Sequence, residues 1–265
     1  MQSWPRVLLP LCLLVAESLS FVAVPPPTNT LVVGHSRRAA RKRVVTSSAE
    51  GIFSSTAMST QEYFETYEGG DYKVFVERGM ARFRSGRVAA SIADFDRAIS
   101  LQPRLAPYMW QRGLSLYYAD RFEEGAKQFR KDVAVNPNDT EEAIWAFMCE
   151  ARTEGLGFDA ARQHLLKITS ERRPYMRAAY SLFRGESKES DLAKQMETGA
   201  ANNAGGLGAP YFYANLYLGL YAEAKGDQVH ARKYISAAVR SSYGSSGDYM
   251  YDLARVHQIV RGWES

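Results

Sequence analysis

The segment "WQRGLSLYY" at residues 110–118 places a glycine inside an aromatic run that otherwise predicts a helix. A glycine in a helix interior costs about 1 kcal/mol relative to alanine, so Gly113 should serve a purpose that offsets this loss. The segment "VERGMARFR" at residues 76–84 repeats the arrangement, because Gly79 also follows an arginine and precedes an aromatic residue at the same distance. The two glycines lie 34 residues apart, which indicates an internal repeat.

The repeat extends beyond these two segments. At the same offset Phe95 aligns with Phe129 and Pro103 with Pro137, and a further copy starts at Gly219. Each proline should end the second helix of its unit, because proline cannot continue a helix. A unit is thus defined by a glycine, a small residue 12 positions later and a bulky residue 16 positions later. These positions hold Gly79, Ser91 and Phe95, then Gly113, Gly125 and Phe129, and finally Gly219, Ala231 and Ile235.

Two antiparallel helices joined by a short turn account for each unit. Small residues are needed where two such helices approach closely. We therefore expect Gly79 to face Ser91, and Gly113 to face Gly125, across the helix crossing. We also expect Asp94 to pair with Arg78, which precedes the first glycine. The turns between the helices fall near Gly86, Asp120 and Gly226.

This pattern resembles the tetratricopeptide-repeat (TPR) family, whose unit is a helix-turn-helix of 34 residues. Phe75 and Met109 occupy the position at which the family carries a tryptophan. The resemblance is strong over residues 70–137 and 211–240 and weaker between them. It implies an all-α fold of antiparallel helix pairs that stack into a right-handed superhelix, or α-solenoid, closed by a C-terminal capping helix.

The domain implied by the resemblance spans residues 59–265. Its middle follows the pattern least closely: residues 158–173 predict the second helix of a unit, and residues 174–201 predict a shortened, atypical pair. A glycine-rich loop follows at residues 202–210. The expected units are 70–103, 104–137, 138–173, 174–201 and 211–243, with the cap at 247–262.

The N-terminal region has the composition of a targeting sequence. Residues 1–20 predict a secretory signal peptide, because Arg6 precedes an apolar stretch that is too short to span a bilayer. Residues 21–58 are rich in Arg, Ser, Thr and Ala, which is typical of a transit peptide. With Phe21 at the junction, the two parts resemble the plastid presequences of algae whose plastids have extra membranes, which implies import into a plastid, with the stroma as its destination. The alternative is a plain signal peptide and a protein of the ER lumen or the exterior.

The net charge of +4 lies in this N-terminal region. Residues 1–60 hold six basic and two acidic residues, whereas the remaining chain holds 27 of each. The predicted folded domain therefore has no overall electrostatic case for binding nucleic acid. No other segment is apolar and long enough to cross a bilayer, so we expect a mature protein without a transmembrane segment.

No catalytic constellation emerges from the sequence. The histidines His35, His164, His230 and His257 are scattered, with no second ligand at metal spacing. The glycines of residues 202–210 lack the lysine and the preceding strand of a phosphate-binding loop. We therefore expect no catalytic residue, no cofactor and no metal, and an enzyme built on a helical-repeat scaffold is the less favoured alternative.

The expected function is that of a non-catalytic adaptor or assembly scaffold for a protein or peptide ligand. By the resemblance, the first helices line a concave groove that holds a peptide or a partner helix. Where the best-known family members clamp a C-terminal carboxylate, this chain has Val76, Met80, Trp110 and Leu114, which favours an apolar or aromatic ligand. The groove candidates are Met80, Phe83, Arg84, Trp110, Leu114, Tyr117, Tyr118, Tyr213, Leu216, Leu220 and Glu223.

Overall fold

The structure, a computed structural model, describes residues 60–201 and 208–263. Within these ranges the fold is all-helical and contains no β-strand. The predicted signal peptide at 1–20, the transit-like segment at 21–58 and most of the glycine-rich loop lie outside the described residues. No helix of the described ranges combines the length and the apolar character needed to cross a membrane.

Twelve α-helices follow one another along the described chain, each packed against its neighbours. Two 3₁₀ helices, Pro103–Tyr108 and Ser242–Ser246, precede α4 and α12. The α-helices are α1 (Thr60–Thr66), α2 (Tyr72–Arg84), α3 (Val88–Leu101), α4 (Trp110–Tyr118), α5 (Phe122–Val135), α6 (Thr140–Arg152), α7 (Gly157–Gln163), α8 (Pro174–Arg184), α9 (Glu189–Ala201), α10 (Ala209–Ala224), α11 (Gln228–Val239) and α12 (Tyr249–Arg261).

The helix ends follow the period of the sequence. Helices α3 and α5 begin and end 34 residues apart, and α2, α4 and α6 end at Arg84, Tyr118 and Arg152, again 34 residues apart. The predicted turns are confirmed, because the chain reverses through left-handed backbone at Gly86 (φ +74°), Asp120 (φ +56°) and Gly226 (φ +81°). Asp120 holds this conformation although only glycine adopts it without steric cost.

The repeat glycines permit a closer approach than expected, but to a different partner. A Cβ atom on Gly113 would lie 2.7 Å from the Phe129 ring, and one on Gly79 would lie 2.7 Å from the Phe95 ring. Gly219 stands in the same relation to Ile235, at 2.7 Å. Each glycine therefore makes room for the bulky residue of its own unit.

The small residues of the second helices serve the next unit instead, which corrects the expectation that they face the glycines. The Ser91 hydroxyl donates to the Ser115 hydroxyl on α4 at 2.9 Å. A Cβ atom on Gly125 would meet the Cys149 sulfur on α6 at 2.7 Å. Because these positions lie between consecutive units, they set how closely one pair packs on the next. Ala231, at the equivalent position of α11, is fully buried.

The two repeat arginines make different contacts. Arg78 donates to the Asp94 carboxylate, at 2.7 Å from Nη2, as predicted. Its Nη1 also donates to backbone carbonyls at the end of α1, among them that of Glu65 at 2.9 Å, so one buried guanidinium joins three helices. Arg112 has glutamine at the position of that aspartate and pairs with Asp96 at 2.6 Å.

The middle of the chain departs from the predicted pattern. The helix expected over residues 158–173 ends at Gln163, and residues 164–173 are not helical. This segment is fixed by side chains from other elements: the Tyr180 hydroxyl donates to the Leu166 carbonyl at 2.7 Å and accepts from the Ile168 N–H at 2.9 Å. The following pair, α8 and α9, lies where the sequence predicts a shortened unit.

The last helix does more than cap the stack. Three of the residues predicted to share its apolar face, Met250, Leu253 and His257, are buried, and Val260 is half-buried. Helix α12 packs on α11, its neighbour along the chain, and also on α2, near the start of the described fold. The two ends of the helical array are therefore joined through α12.

We predict that replacing Gly113 with alanine destabilises the fold by about 1–2 kcal/mol, because overpacking against the buried Phe129 ring outweighs the gain of about 1 kcal/mol in helix propensity. Urea denaturation measures the change. Gly70→Ala is the control, because no atom lies within 4 Å of a Cβ placed there. Equal midpoints for the two variants would show that the crossing tolerates a methyl group.

Candidate functional site

The groove expected from the sequence is occupied by helix α12. Five candidates from three other helices contact α12 or its N-cap residue, and we call this surface the α12 seat. It consists of Phe83, Trp110, Tyr118, Tyr213 and Glu223. The seat thus binds a helix, and in this structure that helix belongs to the chain itself.

The aromatic end of the seat holds the first residue of α12. The Tyr249 ring stacks on Phe83, with centroids 5.6 Å apart, and meets Trp110 edge-on at 5.2 Å. The Arg84 guanidinium lies over the same ring, 5.1 Å from its centroid, and pairs with Asp252 at 2.8 Å. Such aromatic pairs contribute about 0.5–1.5 kcal/mol beyond their buried area.

The polar end of the seat is centred on Glu223, which is 2% exposed. Its carboxylate accepts from the Tyr117 hydroxyl at 2.5 Å and from Arg261 Nε of α12 at 2.6 Å, and pairs with Arg152 at 3.2 Å. Burial raises the pKa of Glu223, but the His257 ring, Arg261 and the Tyr117 hydroxyl together hold it below its usual value. One buried carboxylate therefore joins α4, α6, α10 and α12.

His257 lies between the two ends and is fully buried. The Tyr118 hydroxyl is 3.0 Å from Nδ1, and the Glu223 carboxylate is 3.6 Å from Nε2. Burial lowers the pKa of His257 to about 4, with Glu223 opposing the shift and Arg261 adding to it. The imidazole is therefore neutral near pH 7, and with Tyr118 donating to Nδ1 its own proton is on Nε2.

The seat explains why the other groove candidates are not open to a ligand. Arg84 is exposed and Trp110 half-buried, but the remaining nine are buried, which corrects the expectation of an accessible groove. Those that contact α12 are covered by it, and the rest belong to the same continuous core. The nine are Met80, Phe83, Leu114, Tyr117, Tyr118, Tyr213, Leu216, Leu220 and Glu223.

A second polar cluster, which sequence reasoning missed, surrounds the start of α12. The N-cap residue Asp248 accepts from the hydroxyls of Tyr213 and Tyr243, each at 2.7 Å. Tyr213 stacks on Tyr217, whose hydroxyl donates to Glu141 at 3.3 Å. Burial raises the pKa of Glu141 to about 7, although the nearby Arg173 opposes the shift. This cluster fixes the entry of α12 rather than exposing a reactive group.

A pair of buried carboxyl groups lies on α5 and α6. Burial raises the pKa of Asp132 to about 8, and burial together with neighbouring carboxylates raises that of Glu142 to about 9. Asp132 receives a hydrogen bond from the Gln128 amide at 3.0 Å. In the described part of the chain, no group of three or more His, Cys, Asp or Glu side chains is arranged to hold a metal ion.

No protein-family model matches this sequence. Function is therefore inferred from the seat itself. Its ionisable groups are buried and engaged with one another, so what the site does in this structure is hold a helix through an aromatic corner and a buried carboxylate.

We predict that Glu223→Gln destabilises the protein by about 3 kcal/mol, because it leaves the charges of Arg261 and Arg152 without their buried partner. Chemical denaturation monitored by circular dichroism gives the free energy of unfolding. Glu189→Gln, which breaks the exposed pair with Lys225, should change it by less than about 0.5 kcal/mol. Similar losses in the two variants would argue against a central role for Glu223.

The neutral, buried state of His257 predicts a loss of stability in acid. Its folded pKa of about 4 lies below the unfolded value of 6.5, so the unfolded chain binds the extra proton between these values. The contribution of His257 is complete above pH 6.5 and falls as the pH decreases toward 4. His257→Asn removes the titration and retains an acceptor for Tyr118, so wild type should lose about 3 kcal/mol more than the variant across this window.

The comparison between wild type and the variant isolates His257 from the carboxyl groups, which titrate in both proteins. Free energies of unfolding at half-unit intervals from pH 7 to pH 4 provide the test. Parallel curves for the two proteins would mean that His257 is not buried in its neutral form.

Proposed function

We propose that this protein is a non-catalytic scaffold that binds a protein partner through the α12 seat. The observation that carries the proposal is that the seat already holds an amphipathic helix, through the packing of Tyr249 and the ion pair of Arg261 with Glu223. Laying a helix into a groove is a common mode of peptide recognition. The proposed partner is a protein or peptide rather than nucleic acid, since the chain beyond residue 60 has balanced charge.

We further propose that the array is a TPR-like α-solenoid with a right-handed superhelical twist. Support comes from the 34-residue offset of α3 and α5 and from the matching ends of α2, α4 and α6. The close contact of Gly79 with Phe95, repeated at Gly113 and Gly219, gives the same support at the level of side chains. Scaffolds of this type present extended binding surfaces formed by successive first helices.

A binding function is favoured over catalysis by the state of the ionisable groups. The pKa of His257 and that of Glu223 are both shifted, which in an open cleft would suggest a reactive site. Both side chains are nearly or fully inaccessible to solvent, so a substrate would not reach them while α12 is in place. We therefore propose no catalytic residue, no metal and no cofactor.

For localisation we propose a plastid, reached through the secretory route, on the composition of residues 1–58. In that setting the scaffold would serve the assembly or maintenance of a protein complex. Protein of the ER lumen or the exterior is the second candidate, supported by the signal-like residues 1–20. N-terminal sequencing of the mature protein separates the two, because a start at Phe21 without further trimming contradicts the plastid proposal.

The binding proposal is tested by site-specific photo-crosslinking in cells. A photoreactive phenylalanine analogue replaces Trp110, which is half-buried at the edge of the seat, or Val229, which is 78% exposed on α11. We expect a specific crosslinked protein from position 110 and not from position 229, identified by mass spectrometry. Crosslinks from position 229 alone, or the same products from both positions, would refute the seat as the binding surface.

A further inference from the structure

We infer that α12 is an exchangeable occupant of the seat, and that the partner supplies a helix of matching chemistry. This inference rests on the proposed scaffold function and specifies its ligand. The partner helix would carry an aromatic residue for the corner of Phe83 and Trp110, and an arginine about three turns later for Glu223. In α12 these positions are Tyr249 and Arg261, about 18 Å apart along a helix.

The first argument is that α12 fits the seat imperfectly. Three of its buried polar atoms have no hydrogen-bond partner: the Tyr249 hydroxyl, His257 Nε2 and Arg261 Nη2. The separation of 3.6 Å between His257 Nε2 and Glu223 is too long for a hydrogen bond. Because a buried polar atom without a partner opposes burial, a helix lacking these groups would bind the same seat more favourably.

The second argument is that α12 follows a segment suited to act as a hinge. Residues 242 and 244–247, between α11 and α12, are exposed, and the segment ends at Gly247 in a left-handed conformation (φ +74°). Its main attachment is the pair of hydroxyl contacts to Asp248 from Tyr213 and Tyr243. Release of α12 therefore requires a change at few backbone positions and leaves the α10–α11 pair intact.

The third argument is that the seat specifies what replaces α12. Glu223 remains a buried anion when Arg261 leaves, so the incoming helix has to bring a cation or leave that charge with less compensation. Arg84, paired here with Asp252, selects an acidic side chain one turn after the aromatic residue. An amphipathic helix with the order aromatic, acidic, arginine satisfies all three positions, whereas a purely apolar helix does not.

Hydrogen exchange of the full chain tests whether α12 opens independently. We expect its amides to exchange at least tenfold faster than those of α10, because α12 detaches without unfolding of the array. Equal protection of both helices, lost together in denaturant, would overturn the inference. The measurement involves wild-type protein only, so it does not depend on the folding of a variant.

A labelled peptide of residues 247–263 serves as the probe for the vacated seat. We expect Leu253→Glu in the full chain to strengthen peptide binding at least tenfold, because Leu253 is fully buried and the carboxylate ejects the internal helix. The matched control is Arg255→Glu on the exposed side of α12, which should leave binding at the wild-type level. A peptide with Arg261→Ala should bind at least tenfold more weakly than the original.

Two outcomes would overturn the inference. One is equal peptide affinity for wild type and Leu253→Glu, with Tyr249→Ala as the second variant if Leu253→Glu loses more helicity than α12 accounts for. The other is a dimer that exchanges α12 between copies, detected by light scattering, which would assign the seat to a second copy of this chain. Independent opening of α12 without any crosslinked partner would instead reject the scaffold function while retaining the exchange.

Discussion

The buried carboxylate of Glu223 is the interaction on which the arrangement of the helices depends. It receives hydrogen bonds from α4 and α12 and a salt bridge from α6, so the second, third and last helix pairs share one anion with the terminal helix. A charge with 2% exposure is tolerated only when its partners are in place. The position of α12, the burial of His257 and the closure of the aromatic corner therefore follow from one set of contacts.

This network is built on a frame that short-range packing determines. Gly79, Gly113 and Gly219 each admit a bulky side chain of the same unit, while Ser91 and Gly125 admit the next helix along the array. Because both contacts recur at one offset, successive first helices turn similar surfaces toward the same side. The frame brings Tyr117 and Tyr118 of α4 within reach of α10 and α12, although more than 100 residues separate them in sequence.

Features with a local cause were predictable from the sequence, and features with a distant cause were not. The helix pairs, their turns and the pairing of Arg78 with Asp94 follow from spacing within about 34 residues. Glu223 was among the groove candidates, but its partners could not be found, because contacts between distant residues leave no periodic signal. The one available sign was a histidine and an arginine a turn apart, His257 and Arg261, next to the apolar face of a terminal helix.

The contact between α12 and α2 changes how the array behaves as a whole. Helical arrays with only nearest-neighbour contacts can lengthen or shorten by one unit and can fray from either end. Here the terminal helix spans from α11 to α2, so an inserted or deleted pair would move the aromatic corner away from Tyr249. The number of units between α2 and α11 is therefore fixed by geometry, and the array melts as one cooperative body once α12 is seated.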